Sequence, residues 1–315
     1  MMQLIANRWY AVLSSAELGS KRPVGARRFG LDLVFWRPGP GRVAASEDVC
    51  PHRKAKLSIG RVVDGCMECP FHGFRFAESG ECTLIPAHLN RAIPKAMSVE
   101  ALTVREEHGF VWLWSGPDSA PDGPLPFFDV HEHTFAGSEF TVPVATHYTR
   151  GIENQLDFTH LPFVHRTTIG RFIDHPIEVT CEIDGDRIKA HAGNAEAFVE
   201  LIGPNIWRNI TGPMWQFLAF VPIDDEHMLY YVRTYQRRSR IPGLRWLMGK
   251  VLVLMNRVII GQDTAVVESQ PAEETRVRGM DEILVPSDAA IIAYRRWRDE
   301  HRQAERRPAP ASAAG

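Results

Sequence analysis

Hydrophobic and polar positions alternate in the first third of the chain, as they do in β-strands. Residues 29–36 alternate in this way and carry aromatic and β-branched side chains, which predicts a strand. Prolines and glycines at 38–41 predict a hairpin turn after it. Residues 109–114 predict the last strand of this half, so the pattern indicates a β-rich N-terminal domain.

A break in the pattern follows. Residues 115–126 contain four prolines and two glycines, a composition that neither a helix nor a central strand accommodates. We therefore predict a domain over residues 1–120, a linker over 121–135 and a second domain over 136–302. The Pro/Ala-rich end, residues 303–315, is predicted to be a disordered tail.

The second half mixes the two periodicities. Residues 150–160 predict a helix, and residues 177–188 and 217–235, which are rich in Val, Phe and Tyr, predict strands. Residues 244–270 predict one long helix or two in succession, and 288–302 a terminal helix. Strands combined with segregated helices indicate an α+β second domain.

Composition narrows the function classes. The chain has 315 residues, 36 Lys plus Arg against 38 Asp plus Glu, and a net charge of −2, which argues against a basic nucleic-acid surface. Five cysteines do not suit a closed disulfide framework, whereas thirteen histidines direct attention to metal chemistry.

The most apolar segment, residues 244–260, carries Arg245, Lys250, Asn256 and Arg257 and is shorter than a membrane span. We expect it to be a buried amphipathic helix rather than a membrane-surface helix. Since no signal peptide is evident either, we expect a soluble, cytoplasmic protein without membrane or nucleic-acid partners.

The first metal motif lies in the β-rich half. Cys50 and His52 are followed by Cys69 and His72 in the pattern C-x-H-x16-C-x2-H. This order suits a [2Fe-2S] cluster in which one iron takes two thiolates and the other two imidazoles. A Cys2His2 zinc site is an alternative, but zinc fingers do not alternate the two ligand types. A redox pair of Cys66 and Cys69 is a second alternative, which leaves both histidines without a role.

The second motif lies in the predicted helix at 150–160. Asn154, Asp157 and His160 are spaced by three residues and share one side of a helix. His165 lies five residues after His160, on a different side of a straight helix. Pro162 stands between them, so a break or kink there allows both histidines to face one metal.

Two imidazoles and one carboxylate form a facial triad that leaves positions open on Fe(II). Asp263 and Glu268, late in the predicted helix at 244–270, are rival carboxylates on chemical grounds alone.

Both motifs and their order resemble the α subunits of Rieske non-haem iron oxygenases, in particular the short type that lacks β subunits. The residues around Cys50 and Cys69 resemble the two Rieske cluster loops, apart from Lys56, where proline is common. The resemblance implies an all-β Rieske domain followed by a C-terminal helix-grip (START-like) catalytic domain with an antiparallel sheet. It implies Asp263 as the third iron ligand, and it matches Asp157 with the bridging aspartate and Asn154 with a nearby asparagine.

The resemblance also implies the chemistry. Such enzymes use O2 and externally supplied electrons, and no dinucleotide-binding fingerprint is present, so NAD(P)H would act only through a separate flavin reductase or ferredoxin. The family forms trimers in which electrons pass between subunits. Asp157 would then connect the cluster ligand His72 of one protomer with the iron ligand His160 of the next.

We therefore expect a monooxygenase that hydroxylates or oxidatively demethylates a small apolar, aromatic or polycyclic molecule. The alternatives are a cis-dihydroxylating dioxygenase, a non-enzymatic Rieske electron carrier and a structural zinc protein. The predicted substrate-pocket residues are the aromatic side chains Trp207, Trp215, Phe217, Phe220 and Tyr230. No basic cluster near them indicates a carboxylate partner, and Arg208 and Arg233 are expected to be surface charges.

Overall fold

The computed structural model describes residues 2–88, 91–128, 135–173, 177–211, 214–237, 242–277 and 280–306. The chain divides into two compact units. The first consists mainly of Trp9–Leu125 with Val221–Asp224, and the second of Gln3–Arg8, Pro126–Phe220 and the described residues from Asp225 onward.

Short antiparallel strands build the first unit. They are β1 Trp9–Ser14, β2 Val24–Arg28, β3 Leu31–Trp36, β4 Ala44–Glu47, β5 Arg61–Val63, β6 Cys66–Glu68, β7 Arg75–Phe76, β8 Cys82–Leu84, β9 Ala101–Leu102, β10 Val104–Glu107 and β11 Phe110–Trp114. They form three sheets in the orders β1-β11-β10, β2-β3-β4-β9 and β5-β6-β7-β8. Two short 3-10 helices, Pro86–His88 and Lys95–Met97, follow β8.

The β2–β3 hairpin shows how sequence and tertiary contacts combine in this unit. Its two turn residues, Phe29 and Gly30, have φ of 57° and 80°, the left-handed conformation that tight hairpins require. A phenylalanine rarely adopts it. Here the Phe29 and Gly30 amides donate to the carbonyls of Pro222 and Ile223, and the Phe29 ring packs against Tyr10. These contacts also explain why residues 221–224 belong to the first unit.

A seven-stranded antiparallel sheet forms the second unit. Its strands are β12 Phe135–Val144, β13 Val179–Asp184, β14 Arg187–Ala192, β15 Asn194–Ile202, β16 Ile206–Thr211, β17 Met214–Pro222 and β18 Met228–Arg237, in the order β12-β18-β17-β16-β15-β14-β13. Its helices are α1 Tyr148–Leu156, α2 Leu161–Val164, α3 Pro242–Val267 and α4 Ala289–Arg306, with 3-10 turns at Ile169–Phe172 and Pro286–Asp288. Helix α3 contacts β12, and α4 contacts β13 and β14. The predicted fold class is confirmed.

Several predicted elements have different bounds. The single strands expected at 177–188 and 217–235 are each a pair, because a turn at Gly185 separates β13 from β14 and residues 223–227 separate β17 from β18. Helix α3 is one helix and not two. Helix α4 continues to Arg306, past the predicted start of the disordered tail, and residues 307–315 lie outside the described residues.

The segment predicted as a linker also departs from the expectation. Its described residues include Phe127 and Phe128, which are buried in the second unit. The Phe127 ring stacks on Phe217 with centroids 5.6 Å apart, and the Arg208 guanidinium lies 4.2 Å from the Phe128 ring centroid. Residues 129–134 of the segment lie outside the described residues.

The expectation that residues 244–260 form a buried helix is wrong for one face of α3. Leu254 is 66% exposed and Met255 is 51% exposed, although the opposite side of the helix contacts the sheet through Asn256, which donates to Thr234 Oγ1 at 2.8 Å. No helix in the described part of the chain is long and apolar enough to cross a membrane.

Candidate metal centres

The two predicted cluster loops have the same backbone structure. In each, the cysteine N–H donates to the carbonyl five residues on, and the N–H four residues on donates back to the cysteine carbonyl, at 2.8 to 3.1 Å. The fourth residues are Lys54 and Gly73, with φ of 59° and 69°. Cys50 and Cys69 are therefore presented by two equivalent tight turns.

The four predicted ligands lie together. Cys50 and Cys69 are buried as free thiols, whereas His52 and His72 are exposed with ring centroids 4.7 Å apart. Burial, together with the neighbouring Cys69, raises the pKa of the Cys50 thiol to about 11. The His52 ring stacks on Phe74 at 4.8 Å. A buried thiol pair beside an exposed imidazole pair fits an asymmetric cluster whose histidine end faces solvent.

The remaining cysteines of this unit take no part in this arrangement. Cys66 Sγ lies 3.8 Å from Thr83 Oγ1, and Cys82 Sγ lies 3.6 Å from the Leu84 carbonyl. The alternative redox pair of Cys66 and Cys69 is therefore not supported by these contacts.

The second motif departs from the predicted helix at 150–160. Helix α1 ends at Leu156, and Asp157 is extended, with φ −87° and ψ 125°. Asp157 Oδ1 accepts hydrogen bonds from the Thr159 N–H and hydroxyl, both at 2.7 Å. This side-chain turn competes with helical hydrogen bonding and stops the helix.

The break therefore lies before Pro162 rather than at it. Pro162 occupies the first turn of α2, where the N–H that it lacks has no helical partner. His160 precedes this four-residue helix and His165 follows it. The single helical turn between the two residues brings both imidazoles toward the same point.

Helix α3 brings Asp263 to that point. Asp263 Oδ1 lies 3.0 Å from His165 Nε2 and 3.4 Å from His160 Nε2, and the ligand atoms of all three residues lie within 4.8 Å of one another. Among the described residues, the buried Oδ1 has no well-aligned hydrogen-bond donor. Two nitrogens and an uncompensated carboxylate oxygen converging on one point fit a divalent cation.

Charge pairing dominates the electrostatics of this group. Burial by itself lowers the pKa of His160, but the carboxylates of Asp157 and Asp263 outweigh it and raise the pKa to about 9. Burial by itself raises the pKa of Asp263, but His160 and His165 outweigh it and hold the pKa well below its usual range. The carboxylate is therefore ionised at neutral pH, as a metal ligand must be.

Neighbouring side chains fix the orientation of the ligands. His165 Nδ1 donates to Gln262 Oε1 at 2.9 Å, which leaves Nε2 free to bind a metal. The Thr168 hydroxyl also donates to Gln262 Oε1, at 3.0 Å. Gln155 Nε2 donates to Asp263 Oδ2 at 3.0 Å, so one carboxylate oxygen is occupied and the other faces the histidines.

The rival carboxylate, Glu268, is placed elsewhere. Its Oε1 accepts from the Ala145 N–H at 2.8 Å, and Glu268 is not among the described residues that form the metal-ligating group.

Asp157 and Asn154 lie together on the other side of His160. Asp157 Oδ2 is 3.5 Å from His160 Nδ1, and both Asp157 and Asn154 line a cavity of about 360 Å³. The buried Asn154 Nδ2 has no hydrogen-bond partner among the described residues. Helix α1, which carries Asn154, is held to α4 by a two-pronged contact of Arg295 with Glu153 at 2.9 and 2.7 Å.

A larger cavity of about 580 Å³ opens over the His160, His165 and Asp263 group. Its lining is mainly apolar. The apolar lining includes Phe158, Leu161, Ile169, Ile173, Ile177, Phe198, Val199, Trp207, Ile259 and Ile260. Polar lining comes from Asn209 and Gln216, which are paired across β16 and β17, together with Gln155 and Glu178.

Of the five aromatic residues predicted to form the pocket, Trp207 lines this cavity. Trp215, Phe217, Phe220 and Tyr230 are absent from its described lining. Phe217 packs on Phe127 and Phe128, and Phe220 packs on Tyr230 at 5.3 Å. For Trp215 and Phe217 the reason is the period of two along β17, which directs Gln216 to the cavity and its two aromatic neighbours to the opposite face. Phe220 has the same parity as Gln216 but packs on the Tyr230 ring.

Sequence reasoning missed Gln216, Asn209 and Phe198. One signal was present, because Gln216 is a polar residue between Trp215 and Phe217 in an otherwise apolar strand. Arg208 and Arg233 belong to ion pairs with Glu200 and Glu139, respectively. The expectation of a surface charge is wrong for Arg233, which is buried.

Comparison with known proteins identifies both units. The profile of the Rieske [2Fe-2S] domain matches residues 8–99, and the profile of the vanillate O-demethylase oxygenase C-terminal domain matches residues 144–199 and 205–304. The chain belongs to the Rieske oxygenase family. Both loops described above lie within the residues that match the Rieske [2Fe-2S] domain, so the match supports an iron–sulfur cluster in this unit rather than the zinc alternative.

Curated relatives of this chain include the vanillate O-demethylase oxygenase subunit of Pseudomonas sp. (strain HR199), 29% identical over 69% of this chain and 62% of that protein. Aminopyrrolnitrin oxygenase PrnD of Pseudomonas fluorescens is 36% identical over 53% of this chain and 48% of that protein. Dicamba O-demethylase of Stenotrophomonas maltophilia is 35% identical over 52% and 49%. The alignments thus span about half to three-fifths of these relatives.

Solved structures share the fold. NdmA of Pseudomonas putida CBB5 superposes with a TM-score of 0.82 and 23% identity, covering 95% of this chain and 91% of that one. Dicamba monooxygenase bound to dicamba gives a TM-score of 0.77 and 22% identity, covering 96% and 99%.

Proposed function

We propose that this chain is the oxygenase component of an O2-dependent monooxygenase that hydroxylates or oxidatively demethylates a small, largely apolar molecule. The observation that carries the proposal is the convergence of His160, His165 and Asp263 beneath a cavity of about 580 Å³. A Rieske electron carrier has no need of this second centre. The O-demethylases and oxygenases among the relatives support the same class of reaction.

In this proposal Cys50, Cys69, His52 and His72 hold a [2Fe-2S] cluster, and the group around Asp263 holds Fe(II). The iron would supply O2 activation with electrons drawn from the cluster. The protein residues have their own tasks. Gln262 fixes the tautomer of His165, Gln155 orients the Asp263 carboxylate, and the apolar lining excludes water.

The cavity favours an uncharged substrate with one hydrogen-bonding group. No Arg or Lys is among its described lining residues, and Glu178 disfavours an anion there. Asn209 and Gln216 offer neutral amides, and Gln216 is part of a short polar chain because its Nε2 donates to Asn256 Oδ1 at 3.4 Å. We therefore propose a substrate with a carbonyl, amide or hydroxyl group and not a carboxylate.

A matched ligand pair tests this preference. We expect 4-methoxybenzamide to bind and turn over better than 4-methoxybenzoate, measured by calorimetry and by formaldehyde release. The Gln216→Leu variant should lose most of the preference for the amide because it removes a neutral hydrogen-bonding partner. Tighter binding of the benzoate to the native chain would contradict the proposed substrate class.

Electrons are proposed to come from a separate ferredoxin or flavin reductase that oxidises NAD(P)H. Arg53, Lys54 and Lys56 are exposed beside the cluster loops, and residues 49–63 contain no Asp or Glu. This local positive charge favours an acidic donor.

We further propose a cytoplasmic homotrimer in which electrons cross between subunits. Asp157 would accept a hydrogen bond from His72 of the partner subunit while it contacts His160 in its own. The position of Asp157 between His160 and the second cavity supports this role, since a partner could reach the carboxylate there.

Reconstitution tests the proposed activity. The chain is loaded anaerobically with iron and cluster and is supplied with NADH and a surrogate reductase. We expect O2 uptake that depends on an organic substrate, with one atom of labelled O2 in the hydroxylated product or formaldehyde from a methoxy group. The His165→Ala variant should keep the cluster absorbance but lose iron and turnover. Substrate-independent O2 uptake in the loaded protein would favour the carrier, and two labelled atoms on adjacent carbons would favour a dioxygenase.

A further inference from the structure

Helix α3 exposes a continuous apolar stripe on its N-terminal two-thirds. The residues follow one another at spacings of one, three and four, so that they occupy an arc of roughly 100° on the helix. They are Leu247, Val251, Leu254, Met255 and Val258, each between 47% and 66% exposed. Exposed apolar side chains are ordinary when scattered, but a stripe over three turns indicates a surface that binds something.

The charged residues of the segment that carries this stripe have one sign. Residues 237–262 contain six Arg and Lys and no Asp or Glu, in a chain whose net charge is −2. Lys250 and Arg257 are both exposed and lie seven residues apart, which places them on the same flank of the stripe. An apolar face with a cationic flank is the pattern of helices that lie in the interface of an anionic bilayer.

The stripe ends next to a residue that lines the larger cavity. Ile259, which directly follows Val258, lines that cavity. Ile169 also lines it and is 40% exposed, while the nearby Phe172 is 74% exposed with the Arg171 guanidinium 4.3 Å from its ring centroid. An exposed aromatic side chain and a cation therefore also lie close to the cavity-lining residue Ile169.

We propose that the α3 stripe, residues Leu247, Val251, Leu254, Met255 and Val258, docks this protein on the surface of a membrane that contains anionic lipids. Pairing of this stripe with the same stripe of a second copy is the weaker alternative, because it brings cations against cations; the sedimentation measurement below tests for a second copy that covers the stripe with a different surface. Since α3 cannot cross a membrane, the helix lies along the surface.

Vesicle flotation of the full chain tests the proposal. We expect the protein to float with phosphatidylcholine vesicles that contain phosphatidylglycerol and to remain in solution with phosphatidylcholine alone. Leu254→Glu should reduce binding by roughly tenfold or more. Lys250→Glu combined with Arg257→Glu should reduce binding similarly, and high salt should weaken it because exposed charges are screened.

Ile183→Glu is the matched control, because Ile183 is 52% exposed but lies on β13 and not on α3. This variant should bind vesicles as the native chain does. Two vesicle results would overturn the proposal: no flotation of the native chain, or a loss of vesicle binding in Ile183→Glu equal to that in Leu254→Glu. A smaller mass for Leu254→Glu than for the native chain, measured by sedimentation without vesicles, would also overturn it, because it would show that another copy covers the stripe. None of these measurements depends on oxygenase activity, so the proposal is tested separately from the proposed function.

Discussion

Replacing Gln262 with leucine should weaken iron binding without removing a ligand. Gln262 Oε1 accepts from His165 Nδ1 at 2.9 Å, so it holds the imidazole in the tautomer and orientation that present Nε2 to the metal. Leucine has a similar size but no acceptor. The His165 ring can then rotate or carry its proton on Nε2, and both changes compete with metal binding.

The magnitude follows from the role of such supporting contacts. Loss of a hydrogen-bond partner of a metal-bound histidine costs about 10- to 100-fold in metal affinity, which corresponds to roughly 1.4–2.7 kcal/mol. Gln262→Glu keeps an acceptor at the same position and should stay near native affinity or exceed it. Thr168→Val removes the other donor to Gln262 Oε1 and leaves the bond to His165 intact, so its effect should be smaller than that of leucine.

Anaerobic competition with an Fe(II) chelator measures the affinity, while the visible absorbance of the cluster shows that the Rieske domain is intact. A Gln262→Leu variant whose iron affinity is within twofold of native would refute the reasoning. So would an equal loss in Thr168→Val, because the effect would then come from local packing and not from the His165 contact.

The other predictions concern electron transfer, acid stability and loop strain. Asp157→Asn and Asp157→Ala should retain cluster and iron yet lose coupled turnover, since neither keeps the carboxylate beside His160; near-normal product formation at full metal content would refute the bridging role. Burial and nearby arginines lower the pKa of His147 to about 3. The folded chain therefore loses stability as the pH falls from about 6.5 toward 3, because the unfolded chain takes up a proton at His147 that the folded chain does not. The expected loss is about 2 kcal/mol at pH 5. Urea unfolding at pH 5 and 7 should show a smaller acid loss in His147→Asn, which keeps a helix-capping side chain. Lys54→Gly should stabilise the cluster loop by about 0.5–1 kcal/mol, because Lys54 has φ of 59°; an unchanged thermal midpoint for loss of cluster absorbance would contradict this.

Local sequence determined the parts of this protein that depend on short spacings. The two Cys and His pairs each lie within one tight turn, so their spacing alone brings one thiol and one imidazole together. Strand alternation at 29–36 and the glycine and proline boundary near 115–126 indicated a β-rich first unit, and such patterns reflect backbone geometry within a few residues.

Only the tertiary structure decided which distant side chains meet. Asp263 and Glu268 lie five residues apart and are chemically equivalent in sequence, but the packing of α3 places the first beside His165 and the second beside Ala145. The aromatic residues of β17 and β18 were equal candidates for the pocket, and only the packing of the sheet showed that Trp215 and Phe217 lie on the face opposite Gln216 and that Phe220 packs on Tyr230. The sequence pattern typical of a helix also continues through Asp157. In the structure the helix ends before this residue, because the Asp157 side chain accepts a hydrogen bond from the Thr159 N–H. Ligand choice and cavity lining depend on contacts between residues far apart in the chain, and short-range patterns carry no information about such contacts.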